Sequence, residues 1–404
     1  MTRLALLALA AAAAAAVFIS RASPATFDWN AAYQAAKPGD TIQVPAGTYG
    51  AVVLKWNPNL TGANCDGYAQ PAVTSGCVTF TPAAGAVINW SVNGGPEIDG
   101  NGVRLLGFDF TNANTDSAGN RRDSVAVNNG GCTGHTPTGI IFQNDRGGEI
   151  YIDGPASHIA DVSGDWSSGD ATVTTNGDAV RLYPCVGGTG PDHVLLQGNY
   201  HDTLQTQAGQ HLACLHVTDA TYLTITKSRV ANCAQHDLEI EDTFITGTGD
   251  VIDSSTFEPT CERQGSVCGS VNAIDVGLGY QCGSATQTNL TIENNVIDSL
   301  GFNCGTTTSA GLLVKGNTLS TGYDSYHCSV YQSWGVQFVS NSFPNGGVCG
   351  TQGPPPPPPG SGEPDGDEYA PACAPTCDQQ ITSMKAQVAQ ALTDAKKVVS
   401  DLGG

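Results

Sequence analysis

Between residues 100 and 345 the apolar positions follow one recurring pattern. It runs apolar, any, apolar, any, small or polar, Asn or Ser, any, apolar or aromatic. Copies begin at Val194, Leu223, Asp250, Leu290, Leu312 and Val336, and Val103 to Phe110 resembles an earlier one. The sixth position is Asn199, Ser228, Ser255, Asn295, Asn317 and Asn341, at intervals of 29, 27, 40, 22 and 24 residues. Alternation with a period of two predicts short strands, each broken by a tight turn. No copy contains a helical period. A unit this short cannot bury its own apolar face, so units must stack. Asn tolerates a left-handed turn, and stacked copies can hydrogen-bond about 4.8 Å apart. The pattern therefore predicts a parallel β-helix over residues 23–350; the competing all-β arrangements are an antiparallel sandwich or a propeller. The interval of 40 is read as one coil carrying a cysteine-bearing loop at Cys261, Cys268 and Cys282. Thr174 to Ala179, with its Asn-Gly step, is read as a projecting hairpin.

Three further zones flank this body. Residues 1–22 read as a signal peptide, with Arg3, an apolar run from Leu4 to Ile19, and small residues at Ser20 and Ala22. Residues 351–375 hold six consecutive prolines, Pro354 to Pro359, and an acidic stretch, which read as a stiff linker. Residues 376–404 read as a helix. Ile381, Val388, Ala395 and Leu402 repeat by seven, as do Met384, Ala391 and Val398, which is a coiled-coil seam and an expected route to a homo-oligomer.

Composition narrows the function. Sixteen Lys and Arg against 37 Asp and Glu give a formal charge of −21, the opposite of a nucleic-acid binder. No apolar run after the signal is long enough to span a membrane. Fourteen cysteines in an exported chain read as disulfides, with Cys65–Cys77, Cys214–Cys233 and Cys261–Cys268 as candidate local pairs. The expected location is secreted or at the cell surface.

Trp29 to Tyr49 carries a more specific signal: an amphipathic segment capped by Asp28, a Pro38-Gly39-Asp40 turn, a strand from Thr41, then Pro45-Ala-Gly-Thr-Tyr49. It resembles the entry cap of right-handed parallel β-helix proteins of the pectate-lyase-like superfamily, where a short helix plugs the end of the coil. The resemblance implies an all-β fold with an N-terminal cap helix. It names no activity, because that superfamily includes lyases, hydrolases, epimerases and non-catalytic surface proteins. No lyase Arg-x-Pro-x-x-Arg run and no hydrolase Asp-Asp pair is present, so no catalytic residue is carried over.

Candidate chemistry concentrates between Gln210 and Asp275. Aligning His211–Val217 with His236–Asp242 at an offset of 25 turns Ala213, Leu215, Val217, Leu238 and Ile240 inward. Cys214, His216, Asp237, Glu239 and Glu241 then point outward. Placing Ile274 over Leu238 puts Asp275 over Glu239, and His216 meets Glu241. Candidate catalytic groups are Glu239, Asp275, Glu241, His216 and His236, with Lys227 as a cation or base. Carboxylates about 5 Å apart suit a retaining glycoside hydrolase. Asp237, Glu239 and Asp275 suit Ca²⁺, which would bridge an acidic sugar. Two functions remain open at this point: an enzyme, lyase or hydrolase, contacting extracellular polysaccharide or a cell-surface glycan on an exposed acidic face; and a non-catalytic adhesive module. Trp56, Trp90, Trp166, Trp334, Tyr323, Tyr326 and Tyr331 are candidate sugar-stacking residues or core fillers.

Overall fold

In the computed structural model, the described residues run from Phe27 to Phe343, apart from several connecting segments, the longest being 112–122, 169–177, 204–212 and 278–287. The signal, linker and C-terminal helix readings, and most of the 174–179 hairpin, lie outside the described residues.

Three sheets make up the body. The first has nine strands, from Gly47–Leu54 to Leu300–Asn303; the second has eleven, from Thr41–Val44 to Gln337–Val339; the third has eight, from Asp109–Phe110 to Thr318–Leu319. Every pairing inside them is parallel. From Ile88 onward the chain visits the first, second and third sheets in turn. One strand of the eight-stranded sheet per circuit makes this a right-handed parallel β-helix of eight full coils. A sandwich or propeller is excluded by the parallel pairing. One antiparallel pair stands apart: Cys261–Glu262 against Val267–Cys268, with Cys261 opposite Cys268, inside the 40-residue interval.

The passage from second to third sheet is the most regular part. Two residues separate the strands in every coil, as between Gln197 and Tyr200 or Thr226 and Arg229. The first of the two has positive φ: Gly198, Lys227, Ser254, Asn294, Gly316 and Ser340. The left-handed residue is therefore the one before the recurrent Asn or Ser, not that residue itself. The recurrent position makes a ladder instead. Gly164 N donates to Asn199 Oδ1 at 2.8 Å, Asn199 N to Ser228 Oγ at 3.3 Å, and Ser228 N to Ser255 Oγ at 3.1 Å. Ser255 N donates to Asn295 Oδ1 at 2.8 Å, Asn295 to Asn317, and Asn317 to Asn341. Each bond satisfies a buried amide whose desolvation would otherwise cost about 1–3 kcal/mol.

The interior is filled by side chains in axial rows. Trp166, His201, Val230 and Phe257 are register neighbours, all at or below 1% exposure. At the N-terminal end the helix Trp29–Ala35 is capped by Asp28, whose Oδ1 accepts from Ala31 N at 2.9 Å. Trp29 and Tyr33 are buried, and Trp29 packs against Tyr49, Phe80, Trp90 and Phe108. Trp90 and Trp166 are thus core fillers, and Tyr331 is buried against Phe302. Two expected disulfides, Cys65–Cys77 and Cys214–Cys233, are formed. Among the described residues no helix is long and apolar enough to cross a membrane.

Candidate functional site

The outward positions of the first sheet form a row along the helix axis. Register places Tyr151 beside Arg181, Arg181 beside His216, His216 beside Glu239, and Glu239 beside Asp275. Adjacent strands lie about 4.8 Å apart, so these five residues span about 19 Å. Charge is segregated along it, with cations in the middle and carboxylates toward the C-terminal end. The strands hold the row because Val180, Leu182, Leu215, Val217, Leu238, Ile240, Ile274 and Val276 are buried on the other side.

His216 is the centre of the cationic part. Its Nδ1 lies 3.2 Å from Asp178 Oδ2, and its Nε2 lies 3.3 Å from Glu241 Oε2. Burial alone would lower its pKa. The hydrogen bonds to Asp178 and Glu241, with the charges of Asp178 and Glu239, outweigh that and lift it from 6.5 to about 11. His216 is therefore an imidazolium at neutral pH, donating from both nitrogens. It is a proton donor rather than the base that a lone His–carboxylate pairing suggests. Arg181 Nε lies 3.8 Å from the same Asp178 oxygen, and its guanidinium sits 4.2 Å from the centre of the Tyr183 ring. Tyr183 in turn meets His216 edge-on at 5.4 Å.

The carboxylate part is built around a bulge. Asp237 N and Leu238 N both donate to Ala273 O, at 2.9 and 3.0 Å. Two amides on one carbonyl add a residue to the strand and reset its alternation. His236, not Asp237, consequently joins Glu239 and Asp275: one ligand atom from each lies within 4.8 Å of the others. Asp237 is fully buried. Burial, with the nearby carboxylates of Glu258 and Asp298, pushes its pKa well up. The offset between these two coils is 23 throughout, at Ala213–His236 as at Leu215–Leu238, so Glu239 and not Glu241 is the register partner of His216; Glu241 reaches His216 from the diagonal position. Cys214, expected outward, is buried in its disulfide.

The face is not broadly exposed. His216, His236, Glu239 and Asp275 are 5–7% exposed. Arg181, Tyr183 and Glu241 keep partial exposure and mark the accessible border. Lys227 is elsewhere: it is exposed, on the turn between second and third sheets, where its left-handed backbone serves the turn. Sequence reading missed Tyr151, Asp178, Arg181 and Tyr183. The available signal was the alternation of Val180 and Leu182, which aligns with Leu215 and Val217.

No protein-family model matches the chain, and no curated protein matches it. Among solved structures, a mutant of the PL6 family alginate lyase AlyGC matches with 11% identity and a TM-score of 0.30. The match covers 80% of this chain and 51% of that one, so this chain aligns with about half of that structure's length.

Proposed function

We propose that the protein is an exported polysaccharide-degrading enzyme whose substrate, an acidic glycan, lies along the first-sheet row and is cleaved by β-elimination. The observation that carries this reading is the juxtaposition of the fixed imidazolium of His216 with the His236–Glu239–Asp275 trio, one strand apart. An extended sugar chain advances by about one strand spacing per residue, so consecutive sugars fall on consecutive coils.

Two carboxylates and an imidazole converging within 4.8 Å fit a divalent cation. Calcium takes six to eight oxygens, so an imidazole in the set favours a first-row ion such as Mn²⁺ or Zn²⁺ over the Ca²⁺ expected from carboxylates alone. When bound, such an ion supplies Lewis acidity toward the substrate carboxylate. The chain's own residues do the rest. Arg181 and His216 hold the glycan by charge. The Glu241 carboxylate, at the open border, takes the proton from the carbon next to the uronate carboxylate. The electron pair forms the new double bond as the glycosidic C–O bond breaks. The leaving oxygen takes the Nε2 proton of His216.

The test is incubation of the purified protein with polyuronates and neutral polysaccharides, with Mn²⁺, Zn²⁺, Ca²⁺ or chelator. Unsaturated sugar ends, read by ultraviolet absorbance and stimulated by metal, support the proposal. Saturated reducing ends point to hydrolysis by Glu239 and Asp275, and absence of any product to a non-catalytic binding module.

A further inference from the structure

A second feature lies on the outer face of the second sheet, away from the first-sheet row. The segment from Asn57 to Cys77 is stapled by Cys65–Cys77 and lies on the turns that enter that sheet. Gly139, at φ +66, makes this approach possible: a Cβ there would come within 2.4 Å of the Cys65 carbonyl oxygen. Between loop and sheet is a cavity of about 380 Å³, lined in part by Trp56, Asn64, Asp66, Thr138 and His158. That volume falls in the range of small-ligand sites, about 300–1,000 Å³.

Its walls are held in place. Asp66 Oδ1 lies 3.0 Å from His158 Nδ1 and also accepts from the amides of Tyr68 and Ala69. His158 has φ +54, a backbone region that bulky residues rarely adopt. Its ring stacks on that of His193 at 4.9 Å, and His193 stacks on Tyr222 at 4.6 Å. His193 and Tyr222 have φ +56 and +52, while the corresponding positions one coil before and after this run are Gly139 and Gly249. Three consecutive rings are thus kept where glycine suits the backbone best. The pattern points to a use for the rings. Trp56 is half-buried, lines the cavity and is held by His135, which stacks on it at 4.5 Å.

We propose that this cavity binds a single neutral sugar residue of a glycan. An aromatic face takes the C–H face of a sugar ring, while an amide, a carboxylate and a hydroxyl at the rim take its hydroxyl groups. Among the described residues no lysine or arginine lines the cavity, and Asp66 adds a carboxylate, which disfavours phosphate, sulfate and uronate ligands. The site is independent of the first-sheet row in position and in chemistry. It anchors the protein to a neutral polymer, whatever the row does.

The experiment is native electrophoresis of the full chain through gels containing soluble glucan, xylan, mannan or galactan, with polyuronate gels in parallel. At least one neutral polymer retards the wild type. Trp56→Ala weakens that retardation by about tenfold, the scale of one lost aromatic contact, and Trp56→Phe keeps most of it. His158→Ala, a partly exposed site whose loss spares the core, gives a second reading should Trp56→Ala melt early. The double variant Glu239→Gln/Asp275→Asn retains full retardation, which separates this site from the row. Wild type and Trp56→Ala migrating alike in all four neutral gels overturns the proposal, as does retardation that disappears only in the double variant.

Discussion

Two polar rows run along this β-helix, and they solve the stacking problem in opposite ways. The ladder at the turn between second and third sheets uses small neutral groups. Each member donates to one neighbour and accepts from the other, as Asn317 does between Asn295 and Asn341. The first-sheet row holds Arg181, His216, Glu239 and Asp275, two cations followed by two carboxylates. Uniform neutral rows satisfy themselves and stabilise the rod. The charged row stacks like groups and brings unlike ones together at a single junction, His216 and Glu239, an arrangement that stability does not require and ligand chemistry does.

The largest expected effect is in the charged row. Glu239→Gln or Asp275→Asn should lower cleavage by about 10³-fold, the scale of losing a charge-stabilising group. Melting temperature should change little, measured by differential scanning calorimetry beside initial rates. A variant that melts early and cleaves normally would reverse the comparison. Next in size is the ladder. Asn317→Leu strands Asn295 N and its amide, and should cost about 2–3 kcal/mol in denaturant unfolding, with catalytic constants unchanged in the folded fraction.

Asp145 sharpens the contrast because it is an acid in the neutral row. Its Oδ1 accepts from Phe108 N at 2.6 Å and its Oδ2 from Gln143 N at 3.1 Å. Burial raises its pKa from 3.8 to about 7, against hydrogen bonds that pull it down. Below pH 3.8 the proton is bound in both folded and unfolded chains. Between 3.8 and about 7 only the folded chain holds it, so stability falls as pH rises through that window. Asp145→Asn should flatten this slope, measured as denaturant-unfolding stability between pH 4 and pH 8. The smallest effect is in the core. His201 is fully buried with no hydrogen-bond partner on either ring nitrogen, and its pKa is depressed by burial to about 3. His201→Leu should raise the melting temperature, with a gain of about 1 kcal/mol from removing an unpaired buried group. A drop would assign His201 a role beyond filling space.

The ladder was legible in the sequence because its hydrogen bonds ask for a small polar side chain at one position, supplied in successive coils from Asn199 to Asn341. Asn199, Asn295, Asn317 and Asn341 announce it. The Glu239–Asp275 neighbourhood was legible for a related reason: Leu238 and Ile274 must both face inward, which fixes the register. The trio was not. Its third member depends on two amides sharing the Ala273 carbonyl, a bulge that alternation does not reveal, so Asp237 took the place of His236. Asp178, Arg181 and Tyr183 were hidden differently. The strand Val180–Tyr183 lacks the turn Asn, and the segment just before it, Thr174 to Ala179, read as a hairpin.

The two-residue passage between second and third sheets has a consequence for how such a molecule can diversify. That corner admits no insertion, since one added residue would break the spine for every coil stacked on it. All the long connections open instead along the two margins of the first sheet. Length variation is thereby steered to the border of the charged row, where recognition can be rewritten while the framework stays untouched.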